Sequence, residues 1–219
     1  MNEMSAVSKG RYYEQVVIQH LRNWYFILSE TGGKGDGGID FRGLWDLSFI
    51  TQQQQQHHQS NISTSTSIST MTISTSTATT SSTTTASSTC NNNNSIGIKI
   101  PIIGQCKYTQ TTIGPRYIRE LEGTLLREEQ TTLGLFVSPA EYSQSTIQHF
   151  MYSRFPVGLL RLSVESERPQ LTFCRFNKAV NNIWKDFEVG VKKEKSHFGG
   201  DKNFGNPIVF YQGVPVLTS

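Results

Sequence analysis

The chain has 219 residues, with 20 basic and 17 acidic side chains, a net charge of +3 and 36% hydrophobic residues. That length supports one domain with a self-sufficient core, and three scattered cysteines without a CxxC pair exclude a disulfide framework or zinc knuckle and point to a reducing compartment. There is no run of 18 apolar residues, so no membrane span is expected, and a pI near 8.7 is compatible with a phosphate-backbone partner without requiring one.

The first eight residues contain Glu3 and no arginine, and read neither as a transit peptide nor as a secretory signal. Residues 11–24 place Tyr13, Val16, Val17, His20/Leu21 and Trp24 at amphipathic spacing, which predicts a helix. The β-rich stretch 25–31 predicts a strand, GGKGDGG (32–38) a turn, and 39–50 a second strand. From Leu47 to Ile98 the chain lacks Asp, Glu, Lys and Arg. Its part from 51 to 95 is almost all Gln, His, Ser, Thr and Asn, which cannot offset the entropy of ordering, so it reads as a disordered insertion at the tip of a hairpin.

Beyond it, IGIKIPIIGQCKYT (96–109) predicts a third strand, and 116–130 a helix opened by Pro115. The apolar run 132–138 suits a strand buried on both faces. A helix over 143–155, strands at 158–164 and 171–176 and a short helix near 177–187 follow. Segment 188–205 reads as loop, and PIVFYQGVPVL (207–217) as a hairpin around Gln212-Gly213. The order α-β-β-β-α-β-α-β predicts an α/β fold with a mixed central sheet flanked by helices. The domain would comprise 10–50 and 96–187, with 188–219 as a C-terminal extension.

Gly33 to Gly38 formally match GxGxxG, but Ile39-Asp40-Phe41 follow as strand rather than helix, so a dinucleotide site is excluded. The turn instead delivers Asp40, with Ile39 and Phe41 expected on one face and Asp40 on the other. In Gly104-Gln105-Cys106-Lys107-Tyr108, period two puts Gln105 and Lys107 on a common face. Asp40 can supply a carboxylate oxygen, Gln105 an amide oxygen and Cys106 a backbone carbonyl to a hard divalent cation, Mg²⁺ or Mn²⁺. Lys107 can orient water and offset charge on a phosphate. Cys106 itself reads as a small core residue. Arg116 and Arg119 share a helix face by their spacing and, with Lys34 in the Gly-rich turn, are candidates to contact nucleic-acid phosphates; the glutamates of that helix equally allow a salt-bridged solvent face.

GGKGDGGID, the strand bearing QCK and the helix bearing RELEG resemble the Mrr-like branch of the PD-(D/E)xK restriction-endonuclease-like superfamily. The resemblance covers roughly 10–50 and 96–165 and implies a three-layer nuclease core. It assigns Asp40, Gln105 and Lys107 to catalysis and adds Glu14, in RYYEQVV, beside the same metal. DFRGLW, RELEG, SRFPVGLL and PIVFYQGVPV further resemble the fungal mitochondrial "required for respiratory growth" family. That similarity implies a mitochondrial protein, a Mg²⁺-dependent endonuclease acting on DNA or RNA, with a homodimer allowed. The alternative is a non-catalytic nuclease-fold binding or assembly factor. Gln105 stands where much of the superfamily has an acid, which makes the expected metal site electrically weak.

Overall fold

Ser5 opens the first helix, α1 (Ala6–Arg22), by accepting the Ser8 N–H on its side chain at 3.2 Å. Its buried residues Tyr13, Val17, Ile18 and Leu21 form one stripe, as the sequence pattern required. The helix starts five residues earlier than predicted because its first turns are exposed and leave no hydrophobic period to read. Tyr25 then adopts a left-handed backbone (φ 67°) and turns the chain into strand β1. The structure is a computed structural model and describes residues 4–31, 37–48, 98–164, 169–192 and 206–217. The 51–95 tract and Lys34 lie outside the described residues.

Six strands form one sheet in chain order: β1 (Phe26–Glu30), β2 (Phe41–Asp46), β3 (Lys99–Cys106), β4 (Leu133–Ser138), β5 (Val157–Ser163) and β6 (Gln170–Phe176). The pairs β1–β2, β2–β3 and β5–β6 are antiparallel, while β3–β4 and β4–β5 are parallel. Helices α2 (Arg116–Leu125) and α3 (Gln144–Tyr152) make the two crossovers. The expected α/β class, with its mixed sheet, flanking helices and element order, is what the chain adopts. Strands β2 and β3 stay paired up to Asp46 opposite Lys99, the charged residues that bracket the polar tract. All six residues of β4 are buried, as the continuous apolar run demanded.

One core cluster joins Ile103 and Phe136 of the sheet to Ile118, Leu121 and Leu125 of α2 and Phe150 of α3. Asn177 anchors its lower edge. It is 1% exposed, caps the short helix α4 (Lys178–Ile183) at Val180, accepts the Val157 N–H at 3.2 Å and donates to the Phe155 carbonyl at 2.7 Å. Asn177→Ala would orphan these groups together and should cost roughly 2–3 kcal/mol, seen as a lower urea midpoint with an unchanged slope.

Residues 187–192, expected as helix end and loop, form strand β7 (Phe187–Lys192). It pairs with β8 (Asn206–Tyr211), which returns to β9 (Val214–Leu217) through Gln212 (φ 51°) and Gly213 (φ 76°). Two consecutive positive φ values match the twist of a two-residue hairpin. In β7 the aromatic and β-branched residues Phe187, Val189 and Val191 alternate at strand period, a signal that the loop expectation passed over, and pairing with β8 realises it. Phe187 stands 5.2 Å from Trp45 and 4.7 Å from Tyr211, and Trp45 stacks on Phe26 at 4.7 Å. The C-terminal strands therefore close an aromatic cluster over β2.

Candidate functional site

Asp40 sits where β2 begins, beside the end of β3. Its carboxylate accepts the Cys106 N–H at 2.6 Å, and its own N–H donates to the Gly104 carbonyl at 2.9 Å. Gly104 is the register partner of Phe41, so the Asp40 bond falls one residue out of step. The strand alternation breaks there. Ile39 packs into the α2–α3 cluster, whereas Phe41 lies against Gly104 on the opposite side of the sheet from Ile103. The expectation that Ile39 and Phe41 share a face is thus corrected: the side chain of Asp40 replaces a ladder partner, and the backbone rotates to let it.

The turn leading to Asp40 is pinned from two sides. Thr31 donates from its N–H to the Asp40 carbonyl and from its hydroxyl to the Ile39 carbonyl, both at 3.0 Å. Thr124 of α2 donates to the Gly37 carbonyl at 3.2 Å. Gly38 has φ 80°, and a β-carbon there would press to 3.0 Å on the Gln105 amide nitrogen. The positive φ is what calls for glycine; the Gln105 side chain could shift away from a β-carbon.

Gln105 and Lys107 both face α2. The side-chain oxygen of Gln105 is buried and has no hydrogen-bond partner among the described residues. Such an orphan costs roughly 1–3 kcal/mol, and a cation or a water would relieve it. Lys107 is exposed at the side chain, while its backbone is fixed by the Val137 carbonyl (2.9 Å) and the Ser138 hydroxyl (2.8 Å). Its ammonium lies 5.6 Å from the centre of the Tyr117 ring. Glu14 approaches from the α1 side. Neighbouring Tyr13 locks that helix by donating to the Leu162 carbonyl at 3.1 Å and packing 5.5 Å from Tyr108.

The structure therefore gathers Asp40, Gln105 and Lys107 at the end of β3, with Glu14 reaching the neighbourhood of Cys106 from the other face. Arg116 and Arg119 are exposed in the first turn of α2. Among the described residues no three His, Cys, Asp or Glu side chains converge on a metal position, so any cation here would rest on Asp40, an amide and backbone. Thr31, Thr124 and Tyr117 had no signal in the sequence, because their contacts to the turn or to Lys107 span loops and crossovers.

Burial, and then the charges of Asp40 and Glu14, push the Cys106 thiol well above its ordinary 9.0. Burial raises Cys174 to about 12. Cys106 is therefore a protonated packing residue and not a nucleophile. A thiol raised in the folded state holds its proton more tightly there than in the unfolded chain, so its contribution is complete below about pH 9 and is lost as pH rises further. Stability in urea should fall above pH 9 by about 1.4 kcal/mol per pH unit for each such thiol. Cys106→Ala should make that fall shallower by one thiol's share, with Cys174 and the buried Tyr13 and Tyr142 hydroxyls, all raised by burial, supplying the rest.

Fold and site together define an α/β protein with a carboxylate, an amide and an amine gathered at one end of a mixed sheet. The chain belongs to the family described as Required for respiratory growth protein 7, whose model matches residues 5–189. It is 28% identical to the mitochondrial required for respiratory growth protein 7 of Candida glabrata over 73% of this chain and 64% of that protein. It is 22% identical to an uncharacterized mitochondrial protein of Schizosaccharomyces pombe over 84% of this chain and 57% of the relative. The chain thus spans less than two thirds of the length of either relative. Both are named mitochondrial, which places the chain in that compartment, as the resemblance implied. No helix among the described residues is long and apolar enough to cross a membrane. Among solved structures, MspJI restriction endonuclease in complex with a 27-mer oligonucleotide is similar at 15% identity, with a TM-score of 0.37, over 69% of this chain and 26% of its own.

Proposed function

We propose that this chain is a metal-dependent endonuclease of the Mrr-like type, hydrolysing DNA phosphodiester bonds in mitochondrial nucleic-acid maintenance. The observation that carries the reading is the buried Gln105 side-chain oxygen, without a partner among the described residues, one residue from the Cys106 N–H that locks the Asp40 carboxylate in place. Oxygen donors of this kind suit Mg²⁺ or Mn²⁺. Asp40, Gln105 and the Cys106 backbone carbonyl would hold the ion, which when bound supplies Lewis-acid stabilisation and an activated water.

The protein groups have separable roles. Asp40 brings the negative charge, and its hydrogen bonds to the Cys106 N–H, the Gly104 carbonyl and the Thr31 N–H keep it preorganised. Lys107 orients the water and offsets charge on the phosphate. Glu14 adds a second carboxylate from α1. Arg116, Arg119 and Lys34 contact the backbone and set register without reading sequence.

Nicking of supercoiled plasmid in Mg²⁺ or Mn²⁺ tests this. The wild type should cut, and a double variant Asp40→Ala, Lys107→Ala should not; equal activity in the two would overturn the assignment. The second reading, a non-catalytic nucleic-acid-binding or assembly factor with this fold, is favoured by the neutral Gln105 and the small number of acids at the site. DNA binding without cleavage in either metal would select it.

A further inference from the structure

Resting on the nucleic-acid reading above, the geometry points to Tyr117 as a positioning residue whose ring holds Lys107 and Arg116 together as a two-cation clamp on a backbone phosphate. The Lys107 ammonium comes off the end of β3 and lies 5.6 Å from the ring centre. The Arg116 guanidinium, from the first turn of α2, lies 4.5 Å from the same centre and donates to the Tyr117 hydroxyl at 2.6 Å.

Two like charges on flexible side chains would ordinarily diverge in solvent. Here one electron-rich ring attracts both. The ring itself is half-buried and packs 5.9 Å from Phe136 in the core, so it is a fixed platform. Lys107 and Arg116 are both exposed, leaving their charges open to a ligand. Glu120, one turn further along α2, is the acidic neighbour that acts on Arg116. An incoming phosphate must compete with it, which a paired cation does better than a single one. The clamp would lie beside the Asp40–Gln105 end of β3, so the phosphate it holds is the one whose charge Lys107 offsets.

Equilibrium binding of a short fluorescent DNA duplex in EDTA, at salt concentrations around 0.1 M, isolates the clamp from metal and cleavage. Tyr117→Leu should weaken binding about fivefold and flatten the slope of log affinity against log salt by about one. Tyr117→Phe keeps the ring and should restore most of the loss, which a merely structural defect would not predict. Lys107→Ala and Arg116→Ala alter exposed side chains and leave the core intact. Because they share one platform, their combined loss should be smaller than the product of the single losses. Wild-type affinity and slope in Tyr117→Leu, or single losses that simply multiply, would overturn the clamp while leaving the nucleic-acid reading standing. Failure of the wild type to bind duplex at all would overturn both.

Discussion

Asp40→Asn should leave the protein folded and reduce cleavage by roughly a hundred- to a thousandfold, the several kcal/mol that a held cation contributes to a phosphoryl transition state. The reasoning is local. The side chain of Asp40 does two jobs: it accepts the Cys106 N–H at 2.6 Å, and it carries the negative charge offered to a metal. An asparagine oxygen can keep the first and lose the second. Thermal melting should therefore barely move, while plasmid nicking and Mn²⁺ binding collapse. Asp40→Ala removes both and leaves the Cys106 N–H without its acceptor, so it should also cost roughly 1–3 kcal/mol of stability. The comparison separates the structural role from the chemical one. Nicking by Asp40→Asn at the wild-type rate would remove Asp40 from catalysis.

The largest stability effect expected near the site comes from Gly104→Ala. A β-carbon at Gly104 would overlap the ring of Phe41, which is fully buried. Neither can retreat easily, since Phe41 starts β2 and Gly104 gives its carbonyl to Asp40. Overpacking of this kind should cost roughly 3 kcal/mol and lower Tm by about 6–12 °C. The same push would move the Asp40 backbone, so activity should fall with stability. Phe41→Leu in the same chain makes room, and the double variant should be more stable than the sum of the single losses allows. Strict additivity in denaturant titrations would show that the two residues do not share this space.

Much of the scaffold was legible because its signals are local. The stripe on α1, the apolar run of β4 and the Gln212-Gly213 turn each announce their structure within a few residues, through helical period, continuous burial and the twist of a two-residue hairpin. Strand β7 was expected as loop although Phe187, Val189 and Val191 alternate at strand period, because the pattern is short, runs into a Lys- and Gly-rich stretch, and pairs with β8 more than a dozen residues further on. The candidate site divides in the same way. Period two in Gly104-Gln105-Cys106-Lys107 put Gln105 and Lys107 on one face, and the structure agrees. The same rule applied to Ile39-Asp40-Phe41 failed, because Asp40 steps out of register to hydrogen-bond across to β3.

Sequence by itself determined the element order of the six-stranded core, the polar tract between two pairing strands, and the choice of Asp40, Gln105 and Lys107 as the residues to watch. Tertiary structure alone decided what holds them. The Cys106 N–H locks Asp40, Thr31 and Thr124 pin its turn, Gln105 keeps a buried oxygen without a partner among the described residues, and the Tyr117 ring stands under Lys107 and Arg116. The physical reason is distance along the chain. Spacing reports what neighbours in sequence can do, whereas a hydrogen bond across 66 residues, such as Asp40 to Cys106, exists only once the strands have met.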